Sequence, residues 1–146
     1  MGTLLDTTVF VELERATREL PGTLAMRTVG DRLQETIGID EEVGIATITA
    51  SELLHGVHRA SEQHRARREA FVETTLNAFP TLPFDLVAAR VHARIWAQLA
   101  ARGRDVGAHD RIVAATAIAS GWRVATANQR HFQHIAGLST TIVSLG

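Results

Sequence analysis

Short apolar runs alternate with longer stretches of helical periodicity along this chain, and that alternation most constrains its fold. The runs predict strands at residues 3–5, 44–48, 82–84, 122–126 and 141–145. The periodicity between them predicts helices at residues 9–18, 24–37, 50–60, 62–78, 86–101 and 112–120. Strands separated by helices are typical of parallel βαβ units. The sequence therefore predicts an α/β fold with crossover helices.

Length, charge and composition exclude several classes of protein. With 146 residues, 45% of them hydrophobic, we expect a single domain over residues 1–146. There is no cysteine, which excludes disulfides, thiolate catalysis and cysteine–zinc sites. The net charge of −1 argues against a polycationic nucleic-acid binder. No apolar run approaches the ~20 residues of a membrane helix, and no signal peptide is recognised, so we expect a cytoplasmic protein without membrane contact.

Four polar residues stand at strand ends or helix entries. Asp6 follows the first strand, Glu52 follows the second, Asp110 opens the alanine-rich sixth helix, and Asn128 follows the fourth strand. In open parallel sheets, ligands bind outside the carboxyl ends of the strands. Side chains from distant parts of the chain can therefore converge there.

Each of these residues also has a purely structural interpretation. Asp6 and Asp110 are good N-caps for the helices that follow them. The stretches 49–52 (TASE) and 126–129 (TANQ) match capping boxes, in which Glu52 or Gln129 would fold back onto the backbone. Their joint placement favours a site instead. At ~5 Å and an effective dielectric constant of ~20, two carboxylates repel by about 3 kcal/mol, and a bound Mg²⁺ would relieve that repulsion.

Four segments resemble the signature segments of PIN-domain ribonucleases, and most closely those of the VapC-type toxins of toxin–antitoxin modules. They are 4–9 (LLDTTV), 51–57 (SELLHGV), 109–117 (HDRIVAATA) and 125–132 (ATANQRHF), in the family's order. The resemblance implies a PIN-like three-layer fold, with a central, mostly parallel sheet of four to five short strands and helices on both faces. It also implies an endoribonuclease that depends on Mg²⁺ or Mn²⁺ and is held inactive by a cognate antitoxin.

Carried over residue by residue, the resemblance assigns catalytic roles to Asp6, Glu52, Asp110 and Asn128. Asp6 and Asp110 are the expected metal ligands, and Glu52 would accept a proton or orient the attacking water. His131 departs from the family, because many members have an acid there. That histidine could bind a softer metal, contact a phosphate, or be a surface residue beside Phe132.

The resemblance also implies an RNA substrate, with tRNA or ribosomal RNA expected, and we expect a homodimer. The densest basic segment, residues 58–68, could follow an RNA backbone or could be a solvated helix face. A second hypothesis is a catalytically weak partner subunit of a DNA-bound regulatory complex, which the residue at His131 would favour. A haloacid-dehalogenase-like phosphatase is disfavoured, since Thr8 stands where its second acid belongs and the chain has no lysine.

Overall fold

A five-stranded, entirely parallel sheet forms the centre of the computed structural model, which describes residues 2–38 and 40–144. Its strands are β1 (Gly2–Leu5), β2 (Glu42–Ala46), β3 (Thr81–Leu82), β4 (Arg123–Thr126) and β5 (Thr140–Ile142). Their order across the sheet is β3-β2-β1-β4-β5. The central strand β1 pairs with β2 on one side and with β4 on the other.

Helices connect the strands and cover the sheet. They are α1 (Thr7–Thr17), α2 (Gly22–Ile37), α3 (Thr47–Arg59), α4 (Glu62–Ala78), α5 (Leu86–Ala101) and α6 (Ala108–Ser120). A short 3-10 helix, Gln129–His131, follows β4. Among the described residues, no helix has both the length and the apolar character needed to cross a membrane.

Two separate apolar cores lie on the two faces of the sheet. Leu5 packs in a cluster with residues of α1, α2, α3 and α4, whereas Leu4 packs in a cluster with residues of α5 and α6. Successive residues of a strand point to opposite faces, so these two neighbours reach different layers. The implied three-layer α/β fold with helices on both faces is therefore confirmed.

Several predicted element boundaries were wrong by a few residues. Strand β2 ends at Ala46 and not at residue 48, because Thr47 already begins α3 and its hydroxyl donates to the Leu82 carbonyl. Strand β3 stops before Pro83, which has no N–H to donate. Helix α6 begins at Ala108, four residues earlier than predicted. Strand β5 ends at Ile142, and Leu145 of the predicted strand lies outside the described residues.

The strand order fixes where a ligand can bind. The connection that leaves β1 leads to β2 on one side of the sheet, whereas the connection that leaves the neighbouring strand β4 leads to β5 on the other side. The carboxyl ends of β1 and β4 are therefore a topological switch point, where open α/β sheets form a crevice. Asp6 follows β1 directly, and residues 127 and 128 follow β4.

Candidate active site

Asp6 stands at the carboxyl end of β1 and caps the first helix. One of its carboxylate oxygens accepts the backbone N–H of Val9 at 3.3 Å, so the N-cap interpretation is confirmed. The side chain is nevertheless only 3% exposed. A helix cap does not require such burial, and the carboxylate also faces a pocket between the helices.

Glu52 does not form the capping box that its sequence pattern predicted. Helix α3 begins at Thr47, after the N-cap residue Ala46, so Glu52 lies in the second turn. Its carboxylate instead accepts the Thr7 hydroxyl at 3.0 Å and lies 3.5 Å from Nδ1 of His109. These contacts hold the acid toward α1 and the start of α6.

Asp110 is also not a helix cap. Gly107 is the N-cap residue of α6, and Asp110 lies in the first helical turn. Its Oδ2 is 3.6 Å from Nδ1 of His131, which belongs to the 3-10 helix after β4. A side chain at Gly107 would place its Cβ 3.3 Å from that same oxygen, so glycine leaves room beside the carboxylate.

Asn128 caps the short 3-10 helix through its own side chain. Its Oδ1 accepts the backbone N–H of Arg130 at 3.2 Å, and its Nδ2 lies 3.1 Å from Nε2 of His131. The capping box predicted for residues 126–129 is wrong, because Thr126 is the last residue of β4 and Asn128 is the N-cap residue of the 3-10 helix.

All four predicted site residues line one pocket of about 790 Å³ at the carboxyl edge of the sheet. They come from four different elements or their ends: β1, α3, α6 and β4. The pocket is also lined by His109, His131, Thr7 and Thr8, with Val11 and Glu12 of α1 at its side. The fold therefore brings together residues that are more than one hundred positions apart in sequence.

Two threonine hydroxyls hold Asp6, and sequence reasoning did not identify them as site residues. Thr8 donates to one carboxylate oxygen, and Thr126 donates to the other at 2.6 Å. Each hydroxyl also accepts a backbone N–H, from Ala127 for Thr8 and from Asn128 for Thr126. Position 8 lies two residues after the acid and position 126 ends a strand, but pairing them requires the β1–β4 neighbourhood.

Burial and crowding disfavour ionisation of two of the acids. Burial raises the pKa of Asp6, although the hydroxyls of Thr126 and Thr8 partly oppose that shift. Burial also raises the pKa of Asp110, His131 opposes it, and the charges of Asp6 and Glu52 raise it further. Asp6 and Glu52 therefore act electrostatically on Asp110, as expected for a shared pocket.

The donor set suits a hard divalent cation that keeps most of its water. Asp6 and Asp110 offer oxygen ligands, and Mg²⁺ is usually held by one or two carboxylates together with several waters. Among residues 2–38 and 40–144, no three histidine or acidic side chains are arranged to hold an ion together. In their chemistry, the oxygen donors of Asp6 and Asp110 fit such a cation.

The basic segment at residues 58–68 lies away from this pocket. Arg67 donates to the Thr17 carbonyl at 3.4 Å, and Arg68 forms an ion pair of 3.0 Å with Glu14. Both arginines line a second cavity of about 790 Å³ at the carboxyl end of α1. The acids lie at the other end of that helix, roughly 16 Å away at 1.5 Å per residue.

Comparison with known proteins identifies the family to which this chain belongs. The family model of the PIN domain matches residues 3–138. The chain belongs to the PIN-domain family. The matched region includes all four pocket residues that the sequence predicted, and the predicted resemblance to this family is confirmed.

Individual relatives agree with the family match. The chain is 32% identical to "Ribonuclease VapC1" of Rickettsia felis over 145 residues, which cover 99% of this chain and 98% of that protein. It is 33% identical to "tRNA(fMet)-specific endonuclease VapC" of Shigella flexneri over 96 residues, covering 66% and 71%. A crystal structure from Mycobacterium tuberculosis is described as that of "a member of the VapBC family of toxin-antitoxin systems". Its alignment with this chain covers 99% of this chain and 98% of the other, with a TM-score of 0.69 and 31% identity.

The raised pKa values predict how the stability of the metal-free protein depends on pH. An acid whose pKa is raised by folding binds more protons in the folded state, so the free energy of unfolding falls as pH rises from the ordinary value near 4 through the folded value. Asp110→Asn removes one such group, and the variant should lose less stability between pH 4 and pH 7 than the wild type. Each unit by which folding raises the pKa of an acid lowers the free energy of unfolding by about 1.4 kcal/mol once the pH is above both pKa values.

Urea denaturation at a series of pH values, with EDTA present, measures this difference. Asp31→Asn, which changes an exposed acid of α2, is the matched control and should follow the wild-type profile. Parallel stability profiles for wild type and Asp110→Asn would show that folding does not raise the pKa of Asp110.

Proposed function

We propose that this chain is a metal-dependent endoribonuclease and the toxin of a toxin–antitoxin pair, which hydrolyses RNA phosphodiester bonds in the pocket described above. The observation that carries the proposal is the gathering of Asp6, Glu52 and Asp110, from three separate elements, in one pocket. Folding keeps acids together against their repulsion only at a cost in stability, and such a cost is typical of functional sites.

Asp6 and Asp110 are the proposed ligands of Mg²⁺ or Mn²⁺. Such a cation, when bound, supplies a more acidic water and neutralises charge on the phosphate. The hydroxyls of Thr8 and Thr126 fix the orientation of Asp6 and stabilise its ionised form. Gly107 has no Cβ to crowd Oδ2 of Asp110, and Asp110 lines the pocket.

Glu52 is the proposed acceptor of the proton from the attacking water. Thr7 donates to Oε1, which fixes the carboxylate, while Oε2 lies toward His109 and the pocket. The side chain of Glu52 is 31% exposed, so water can reach it. Asn128 has a supporting catalytic role in this proposal, because it positions the neighbouring His131.

The proposed substrate is tRNA or ribosomal RNA. The Shigella relative is named for tRNA(fMet), and it is aligned with about two thirds of this chain. With a net charge of −1, the protein would hold RNA through local contacts and not through a general basic surface. A cytoplasmic location follows from such a substrate.

The proposed partners are a cognate antitoxin and a second copy of this chain. The Mycobacterium structure belongs to a toxin–antitoxin family, which supports the antitoxin. The second cavity, lined by Arg18, Arg59 and Phe71, offers both cations and an apolar surface to a peptide. A homodimer would cover exposed apolar side chains at α5, where Trp96 is 56% and Leu86 is 67% exposed.

The alternative of a catalytically weak, DNA-bound subunit ranks second. It was suggested by the histidine at position 131, where many family members have an acid. The remaining acids of the set all line the pocket, and His131 lies against one of them. Apart from His131, no feature of the described residues favours the weaker activity.

The nuclease proposal predicts a sharp effect of Glu52→Gln. Glutamine keeps an oxygen that can accept the Thr7 hydroxyl but cannot take a proton from water, so cleavage should fall by about 10²- to 10⁴-fold. The free energy of unfolding should change by less than about 1 kcal/mol, since the amide oxygen of glutamine still accepts the Thr7 hydroxyl in place of the carboxylate. Cleavage of total tRNA and ribosomal RNA is followed on gels with Mg²⁺, with Mn²⁺ and with EDTA.

Glu62→Gln, in the exposed first turn of α4, is the control and should cleave like the wild type. EDTA should abolish cleavage, and added cation should restore it. Full activity of Glu52→Gln would remove Glu52 from the chemistry, and activity in EDTA would contradict metal dependence.

The toxin proposal predicts an effect on growth. Induced expression of the wild-type chain alone should stop growth of a bacterial host, because RNA cleavage without an antitoxin is not restrained. Asp110→Asn should relieve the arrest, since it removes a proposed metal ligand, whereas Asp31→Asn should not. Colony counts after induction measure the effect, and normal growth with abundant wild-type protein would contradict the toxin role.

A further inference from the structure

His131 is the one pocket residue that departs from the family's acidic pattern, and its two ring nitrogens have different neighbours. Nδ1 lies 3.6 Å from Oδ2 of Asp110. Nε2 lies 3.1 Å from Nδ2 of Asn128. The side chain is 39% exposed and lines the pocket together with both of these neighbours.

The direction of each contact follows from the backbone around Asn128. The backbone N–H of Arg130 requires an acceptor, and it is Oδ1 of Asn128, at 3.2 Å. The amide nitrogen of Asn128 therefore faces His131, and an amide nitrogen can only donate. In the neutral imidazole, Nε2 of His131 therefore accepts that hydrogen bond.

A neutral imidazole has one proton, and when Nε2 accepts, that proton is on Nδ1. The protonated Nδ1 is then the ring nitrogen nearer Asp110, 3.6 Å from Oδ2. Both nitrogens are thus engaged: Nε2 uses its lone pair for the amide of Asn128, and Nδ1 has no lone pair in the ring plane to offer a metal. The ring faces Asp110 as a donor and not as a ligand.

We infer that His131 is a positioning residue: it directs an N–H group at Asp110, in a tautomer fixed by Asn128, and it does not ligate the metal ion. The inference rests on the proposed function for its account of why Asp110 must be oriented. The inference assigns to Asn128 the role of fixing the tautomer of His131, and it excludes His131 as a ligand for a softer metal. Groups that orient a metal-binding side chain commonly lie behind it in this way.

The tautomer can be measured on the metal-free protein. Long-range ¹H–¹⁵N correlation NMR at pH 8 distinguishes Nδ1–H from Nε2–H histidines. The chain has seven histidines, and the signals of His131 are those lost in His131→Gln. We expect the Nδ1–H pattern for His131 in the wild type. An Nε2–H pattern would overturn the inference.

Asn128→Asp is a matched variant for the role of the amide. The carboxylate keeps an oxygen for the N–H of Arg130 but has no proton to donate to His131. Nε2 of His131 should therefore gain a proton, and the wild-type pattern should be lost. An unchanged Nδ1–H pattern in Asn128→Asp would show that Asn128 does not fix the tautomer, contrary to the inference.

Metal ligation is tested separately with Mn²⁺. Electron spin-echo measurements on the Mn²⁺-loaded protein detect a directly bound imidazole nitrogen, and we expect none that depends on His131. A nitrogen coupling present in the wild type and absent in His131→Gln would overturn the inference while leaving the metal-dependent function intact. Failure of the wild type to bind Mn²⁺ would instead count against the proposed function, and the metal-free tautomer would still decide the role of His131.

Discussion

The gathering of three acids in one pocket, two of them away from water, is the constraint on which the rest of this site depends. Asp6, Glu52 and Asp110 line that pocket; burial raises the pKa of Asp6 and of Asp110, and the charges of Asp6 and Glu52 raise the pKa of Asp110 further. Nothing in a short peptide would hold such groups together. The sheet does so, because the carboxyl end of β1 meets α3 and α6 at the same edge, and two apolar cores hold those helices in place.

The pocket residues around these acids supply donors that make their charge less costly. Two hydroxyls bind Asp6, one binds Glu52, and two histidines face Glu52 and Asp110. The two hydroxyls at Asp6, those of Thr8 and Thr126, are themselves fixed by backbone N–H groups after β4. The arrangement orients the carboxylates without neutralising them, which leaves them able to attract a cation and a hydrated phosphate group.

Much of this arrangement could be predicted from sequence because it follows from the order of elements. Apolar runs predicted the positions of the strands, and acids at strand ends predicted the position of the pocket. Local sequence patterns led to wrong predictions where the same residues are compatible with two structural roles. The stretch 49–52 matches a capping box, but α3 had already begun at Thr47, so Glu52 was free to face the pocket. The pairing of Thr8 with Thr126 could not be predicted, because it depends on β1 and β4 being neighbours.

The central claim is that the pocket between Asp6 and Asp110 binds a divalent cation. Crystals soaked in Mn²⁺ and measured at a wavelength where manganese scatters anomalously test it most directly. The account predicts an anomalous peak within about 2.1–2.3 Å of carboxylate oxygens of Asp6 and Asp110, since Mn²⁺ takes the oxygen ligands that suit Mg²⁺. A protein that takes up no manganese in this pocket, or a peak ligated only by other residues, would contradict the account.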